Sequence, residues 1–265
     1  MCGTDLDDPL AIVCQVGQAV VYSHRSITGH KTNEDALGVF EWGDGKLLLA
    51  IADGVGGLPG GAAAARRVLE TLHKPPAGEH EDPIVYLLDK ANDSIRQDIS
   101  TGATTLSAVL IQNKRFTGYH AGDSTTLVVG QRGRVKFQSV CHSPVGVAQA
   151  RGELSERAAL FHPQRHLLSN MLGDEAFWVE RSDCYELATF DTIVIASDGL
   201  WDNFFCDEII DIVCQGTLVQ AGRRLAHSAR RRMLTVEDNV PSKPDDLSFV
   251  LYRQQKARDT SDSTL

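Results

Sequence analysis

At 265 residues, with 42% hydrophobic and 23% charged side chains, the chain has the makeup of a folded globular protein that buries a full core as one domain. Its formal net charge of -9 excludes a basic nucleic-acid groove, because neutralising phosphates needs clustered Lys and Arg. No apolar run approaches the roughly 20 residues of a membrane span, and Met1 to Pro9 lacks the basic flank and apolar centre of a signal peptide.

In chain order, residues 1–15 read as a loosely attached leader. Gln18 to His24 and Ala36 to Phe40 read as strands, and the Gly43-Asp44-Gly45 hairpin signal leads into a buried strand from Lys46 to Ala52. Glycines 56–61 then feed a helix over Ala62 to His73. A second helix is marked by Asp82 as N-cap, Pro83 in the first turn, and an apolar face of Ile84, Leu87, Leu88, Ala91 and Ile95.

Thr104 to Ile111, Phe116 to Ala121, Thr126 to Val129 and Val135 to Val140 follow as strands. The turns between them are too short for crossover helices, which predicts an antiparallel meander. Cys141 to Asn170 is irregular, with one short helix near Ser155 to Leu160, and a segment of this length reads as a functional loop. Strands over Phe177 to Leu187 and Thr192 to Ala196, helices over Asp207 to Gln215 and Leu218 to Met233, and a strand over Leu247 to Arg253 complete the pattern. The order predicts an α+β fold, with helices layered on antiparallel sheets in a single domain over 1–253, ending in a polar tail at 254–265.

Short acidic knots recur at strand ends: Asn33-Glu34-Asp35, Asp53-Gly54, Gly122-Asp123, Ser197-Asp198-Gly199 and Asp245-Asp246. Taken singly, each is an ordinary turn. Asp53, Asp123 and Asp198 follow their strands, whereas Asp35 and Asp245 precede theirs, so in antiparallel sheets all can meet at one edge. Carboxylates gathered that closely repel one another unless a cation joins them. An all-oxygen set with no histidine favours Mg²⁺ or Mn²⁺ over Zn²⁺. The six cysteines (Cys2, Cys14, Cys141, Cys184, Cys206 and Cys214) form no C-x-x-C pair and no zinc-like spacing with the histidines, which points to a reducing cytoplasm. A dinucleotide fingerprint fails because Pro59 stands where the third glycine belongs. No Gly-Lys-Ser/Thr P-loop and no Gly-x-Ser-x-Gly elbow occurs either.

These knots, extended to Ala52-Asp53-Gly54-Val55-Gly56-Gly57, Gly102-Ala103-Thr104-Thr105, Gly122-Asp123-Ser124, Ser197-Asp198-Gly199-Leu200-Trp201-Asp202 and Asp245-Asp246-Leu247-Ser248, stand in the order and spacing of known motifs. The chain resembles PP2C-type (metal-dependent, PPM family) protein phosphatases of bacterial type from about residue 18 to about residue 253. The resemblance implies a central antiparallel β-sandwich flanked by helices on both sides. It further implies that Asp53 bridges two ions, the Gly54 carbonyl and Glu34 complete one site, and Asp198 and Asp245 complete the other. Asp35 would hold a water from behind these ligands, and Asp123 with Asp198 would hold a third, weaker ion. A hydroxide shared by the ions would attack phosphoserine or phosphothreonine in line. Phosphoprotein substrates, a cognate Ser/Thr kinase and a monomeric enzyme are the implied partners and state.

Departures from the family pattern are local. His30 stands where many members carry a phosphate-gripping arginine, with Arg25 and Lys31 as possible substitutes. Val55 replaces a histidine found in some eukaryotic members, Thr125 a frequent arginine, and Asp246 a frequent asparagine. Residues 141–170 match the flap beside the family's active site, and His162-Pro163-Gln164-Arg165 within it is either a substrate contact or a solvated turn. The arginines from Arg223 to Arg232 read as a solvated helix face. A catalytically silent relative that binds phosphoproteins or a kinase is the competing expectation, left open by His30 and opposed by the complete acidic set.

Overall fold

Leu47 to Ala52 is apolar without a break, and both faces of this strand are covered. The computed structural model describes residues 1–27, 32–56, 60–98 and 100–254. Within them, two antiparallel sheets stack face to face. One has the order β3 (Asp35–Gly43), β4 (Lys46–Asp53), β5 (Leu106–Gln112), β6 (Arg115–Ala121) and β9 (Glu180–Glu186). The other has the order β1 (Leu10–Cys14), β2 (Gly17–His24), β11 (Leu247–Gln254), β10 (Thr192–Ala196), β7 (Thr125–Val129) and β8 (Val135–Gln138).

Alternation along each strand divides the apolar residues between layers. Leu47, Leu49 and Ile51 of β4 face the other sheet, where they meet Val21, Ile193, Ile195 and Val250. Leu48, Ala50 and Ala52 face outward and pack under α1 (Gly61–Leu72) and α2 (Pro83–Gln97) through Val68, Leu72 and Leu88. On the opposite side, Val20, Phe249 and Leu251 pack under α6 (Cys206–Val213) and α7 (Leu218–Leu234). Each fully buried Leu, Ile or Val contributes roughly 1.5–3 kcal/mol, so three apolar layers hold the sandwich and its helices together. The α+β class is the one expected from the element order, and the helix-flanked sandwich is the one the family resemblance implies.

Three local expectations are corrected. Residues 1–15 are docked rather than loose. β1 pairs with β2 along its whole length, Gly3 N–H donates to the Asp35 carbonyl at 3.0 Å, and the Met1 amino group donates to the Leu37 carbonyl at 2.7 Å. The strands from 104 to 140 do not form one meander: β5 and β6 pair in one sheet, β7 and β8 in the other. The chain crosses between sheets at Gly122, whose φ of +107° and whose contact with Thr105 exclude a side chain. The segment 141–170 holds two helices, α3 (Pro144–Ala150) and α4 (Glu156–Leu160), of which only the second was expected. Ser143 caps α3 by accepting from Gly146 N–H, and Pro144 stands in its first turn, a start signal legible in the sequence. The tail from residue 255 lies outside the described residues.

Candidate metal centre

Sheet register brings the first two knots together. Asp35 opens β3 directly opposite Asp53, which closes β4. The end of β4 is strapped by the neighbouring loop: Thr104 Oγ1 and Thr105 N–H donate to the Asp53 carbonyl at 2.7 and 2.8 Å. Gly54 N–H donates to the Glu34 carbonyl at 3.2 Å, which places the turn after β4 beside the start of β3.

The other sheet supplies the rest. Asp198 begins α5 (Asp198–Trp201) at the end of β10, and Asp245 precedes β11, the partner of β10. Ser197 Oγ donates to Asp35 Oδ2 at 3.0 Å, a direct link between the sheets. Asp246 makes a second: its two oxygens accept from Ser26 N–H and Glu34 N–H, each at 2.6 Å. The residue in this position therefore orients the backbone of the Glu34 knot. Asp123 arrives on the crossing between β6 and β7.

Glu34, Asp53, Gly54, Asp123, Asp198 and Asp245 all line one cavity of about 230 Å³. Asp35 lies behind this wall, 1% exposed. His30 falls outside the described residues. Two residues absent from the sequence expectation join the cluster. Lys243 Nζ contacts carboxylate oxygens of Asp198, Asp202 and Asp245, with 3.1 Å to Asp202 and 3.0 Å to Asp245. Asp202 was legible as the last acid of the Asp198 motif, and Lys243 lies two residues before Asp245, but neither spacing by itself predicts an ion pair.

The electrostatics are those of crowded acids. Burial first, and then the charge of Asp246, push Asp35 up to about 8 against the hydrogen bonds of Ser248 and Ser197. Burial and then the charges of Asp35, Asp198, Asp123 and Asp245 raise Asp53 well above its ordinary range. Burial and Asp198 raise Asp123 to about 8, and the same two causes raise Asp245 to about 6 despite Lys243. Asp35 Oδ1 is buried without a hydrogen-bond partner among the described residues. An all-oxygen donor set short of positive charge, with an orphaned buried carboxylate oxygen behind it, fits hard divalent cations such as Mg²⁺ and Mn²⁺.

The flap reaches this centre through Arg165, whose Nε lies 3.4 Å from Asp202, and through His166 and Leu168 on the cavity wall. His162 is occupied locally, its Nδ1 accepting from Gln164 N–H at 3.1 Å. A larger groove of about 480 Å³ adjoins the centre beneath the flap, shares Asp123 and Asp198 with the cavity and is also lined by Asp202. A histidine group that sequence spacing did not reveal, His120, His142 and Glu180, lies within 4.8 Å at the far side of Gly122. There Gly122 N–H and the Asn170 amide both face His142 Nδ1, which assigns the ring proton to Nε2, donating to Glu180 at 2.7 Å. His142 and Glu180 thus form a hydrogen-bonded pair, whereas both ring nitrogens of His120 are buried without a hydrogen-bond partner among the described residues.

Comparison with known proteins agrees with this architecture. Serine/threonine phosphatase stp of Listeria welshimeri is 26% identical over 246 residues, covering 86% of this chain and 94% of that protein. The structure of serine/threonine phosphatase Stp1 from Staphylococcus aureus superposes with a TM-score of 0.75 at 22% identity, covering 96% of this chain and all of that one. The catalytic domain of the phosphatase PstP, solved with 2 manganese ions, superposes with a TM-score of 0.70 at 22% identity, covering 91% of this chain and 99% of that one. The family profile for protein phosphatase 2C matches residues 23–235, which hold every acidic knot except Asp245-Asp246. With that last knot brought by β11 into the same cavity, the profile and the architecture agree: the chain belongs to the protein phosphatase 2C family.

Proposed function

We propose that this chain hydrolyses phosphoserine and phosphothreonine esters in proteins, using Mg²⁺ or Mn²⁺ held in the carboxylate cavity and opposing a Ser/Thr kinase. The observation that supports this most is the convergence of Glu34, Asp53, Asp123, Asp198 and Asp245, from both sheets, on one cavity. In this reading Glu34, the Gly54 carbonyl and Asp53 hold one ion, Asp53, Asp198 and Asp245 hold another, and Asp123 with Asp198 holds a third, weaker one. When bound, such ions supply Lewis-acid charge to phosphoryl oxygens and lower the pKa of water.

The chain's own groups do the rest. Asp35 uses its unpartnered Oδ1 to orient water from behind the ligands, and Ser197 keeps its other oxygen engaged. His30 is assigned the phosphate grip on sequence position alone. The adjoining groove under the flap takes the substrate peptide. Cys141 and Cys206 line that groove, but burial raises both thiols, Cys206 to about 11, which removes the thiolate that a covalent route requires. In this reading no cysteine takes part, and water is the nucleophile.

The test is phosphate release from a phosphothreonine peptide by metal-stripped protein on addition of Mn²⁺. Turnover should appear with Mn²⁺, and Asp53→Asn and Asp198→Ala should each lower it by about 100-fold or more, the upper end of what disturbing a ligand's surroundings costs. Turnover at saturating Mn²⁺ no higher than that of Asp198→Ala would leave a catalytically silent binder of phosphoproteins.

A further inference from the structure

The positive charge inside the carboxylate cavity comes from a side chain ringed by acids. Lys243 Nζ contacts Asp198 Oδ2, Asp245 Oδ2 at 3.0 Å and Asp202 Oδ2 at 3.1 Å. The ammonium hydrogen-bonds to Asp198 and lies in ion-pair range of Asp202 and Asp245, so three carboxylates surround one positive charge. Its backbone is fixed: Lys243 N–H donates to Asn203 Oδ1, and Asn203 Nδ2 donates to the Lys243 carbonyl, both at 2.9 Å, with Asn203 fully buried. Pro244 fixes the next φ. The charge can therefore move only as far as its four-carbon stem swings.

Two of those acids, Asp198 and Asp245, are ones assigned above to a divalent ion, and Lys243 holds an oxygen of each. A dication and an ammonium a few ångströms apart repel one another, so they compete for those oxygens. Asp202 differs. It has no assigned ion, and Arg165 of the flap approaches its Oδ2 at 3.4 Å.

We propose that Lys243 is a resident counter-cation of the centre, and that divalent ions load by displacing its ammonium from Asp198 and Asp245 toward Asp202. The inference rests on the metal-centre reading. The side chain neutralises the acids before metal arrives and sets the affinity of the site below what its carboxylates alone would give. A purely structural salt bridge has the opposite signature: removing it would loosen the acids and weaken metal binding.

Calorimetric titration of the metal-stripped full chain with Mn²⁺ distinguishes these. Lys243→Met should bind Mn²⁺ at least about tenfold more tightly than the unmodified chain, as expected when a unit charge is removed near a dication. Lys243→Arg, which keeps the charge, should bind as the unmodified chain does. Melting without metal should drop in Lys243→Met and recover once Mn²⁺ saturates. Lys243→Gln serves the same comparison should the methionine variant not fold. Unchanged or weaker Mn²⁺ binding in the neutral variants overturns the proposal while leaving the metal centre standing. Absence of Mn²⁺ binding by the unmodified chain and the variants alike overturns both.

Discussion

Gly199 shows how closely single residues define this centre. A Cβ at this position would lie 1.9 Å from the Asp246 carbonyl oxygen, in the backbone that carries Asp245 and Asp246 into β11. The neighbour is main chain, the peptide joining Asp246 to Leu247 at the start of β11, so it cannot give way as a flexible side chain would. Gly199→Ala should destabilise by about 1–3 kcal/mol, the usual cost of overpacking, and should weaken Mn²⁺ binding because Asp198 and Asp245 flank the displaced atoms. Urea denaturation with a parallel Mn²⁺ titration checks both, and unchanged Mn²⁺ affinity would refute the coupling. The glycine is visible in the sequence as part of Ser197-Asp198-Gly199. Its reason is not, because the clashing carbonyl lies in a segment distant along the chain.

Single side chains also serve several elements at once. Asp82 accepts from Ile84 N–H at 2.9 Å and Val85 N–H at 3.2 Å, the N-cap that the sequence predicts. Its second oxygen accepts from Tyr119 of β6 at 3.0 Å and from Arg181 of β9 at 2.7 Å, tying α2 to its sheet. Asp82→Ala removes a cap worth about 1 kcal/mol and leaves the buried Tyr119 hydroxyl without that acceptor, at about 1–3 kcal/mol more. The expected loss is therefore about 2–4 kcal/mol by urea denaturation, with Mn²⁺ binding unaffected. Asp82→Asn, which retains the capping oxygen, should lose less. The arginines of α7 teach the same lesson. Arg232 makes a bidentate pair with Glu208 at 2.6 and 2.9 Å and also donates to the Asn203 carbonyl, and Arg230 donates to Tyr22 at 3.4 Å. Helical spacing placed these residues on α7, where Arg223, Arg224 and Arg231 are exposed as expected, but Arg232 and Arg230 are received by α6 and β2.

Across the whole molecule, the acids of the centre come from both sheets, so metal, protons and fold are linked. In the metal-free protein Asp35 and Asp123 titrate near 8, against an ordinary value of 3.8. Between about pH 4 and 8 the folded state thus holds protons that the unfolded chain has released. Their contribution to stability is complete below that interval and is lost as pH rises through it. Divalent ions bind the ionised acids and expel those protons, so their affinity rises over the same range. Melting of the metal-free protein should therefore fall from about pH 5.5 to about pH 8.5, while the gap to the Mn²⁺-saturated protein widens. At a free concentration 100 times Kd, one site adds about 2.7 kcal/mol. A metal-free melting temperature that is flat or rises with pH would refute this linkage.

Local chemistry is legible in a sequence because it acts over a few residues. Alternation along β4, the Asp82 cap and the acidic ends of strands all belong to that range, and they led to the α+β class and to acids gathered at one edge, while the family resemblance supplied the sandwich and the ligand role of Glu34. The crossing at Gly122, the docking of Met1 and Gly3 on β3 and the placement of Lys243 among three carboxylates depend on contacts between segments distant in the chain. Only the stacked sheets decide which of those segments meet, because register and packing, rather than residue type, bring an ammonium at residue 243 to an aspartate at residue 198.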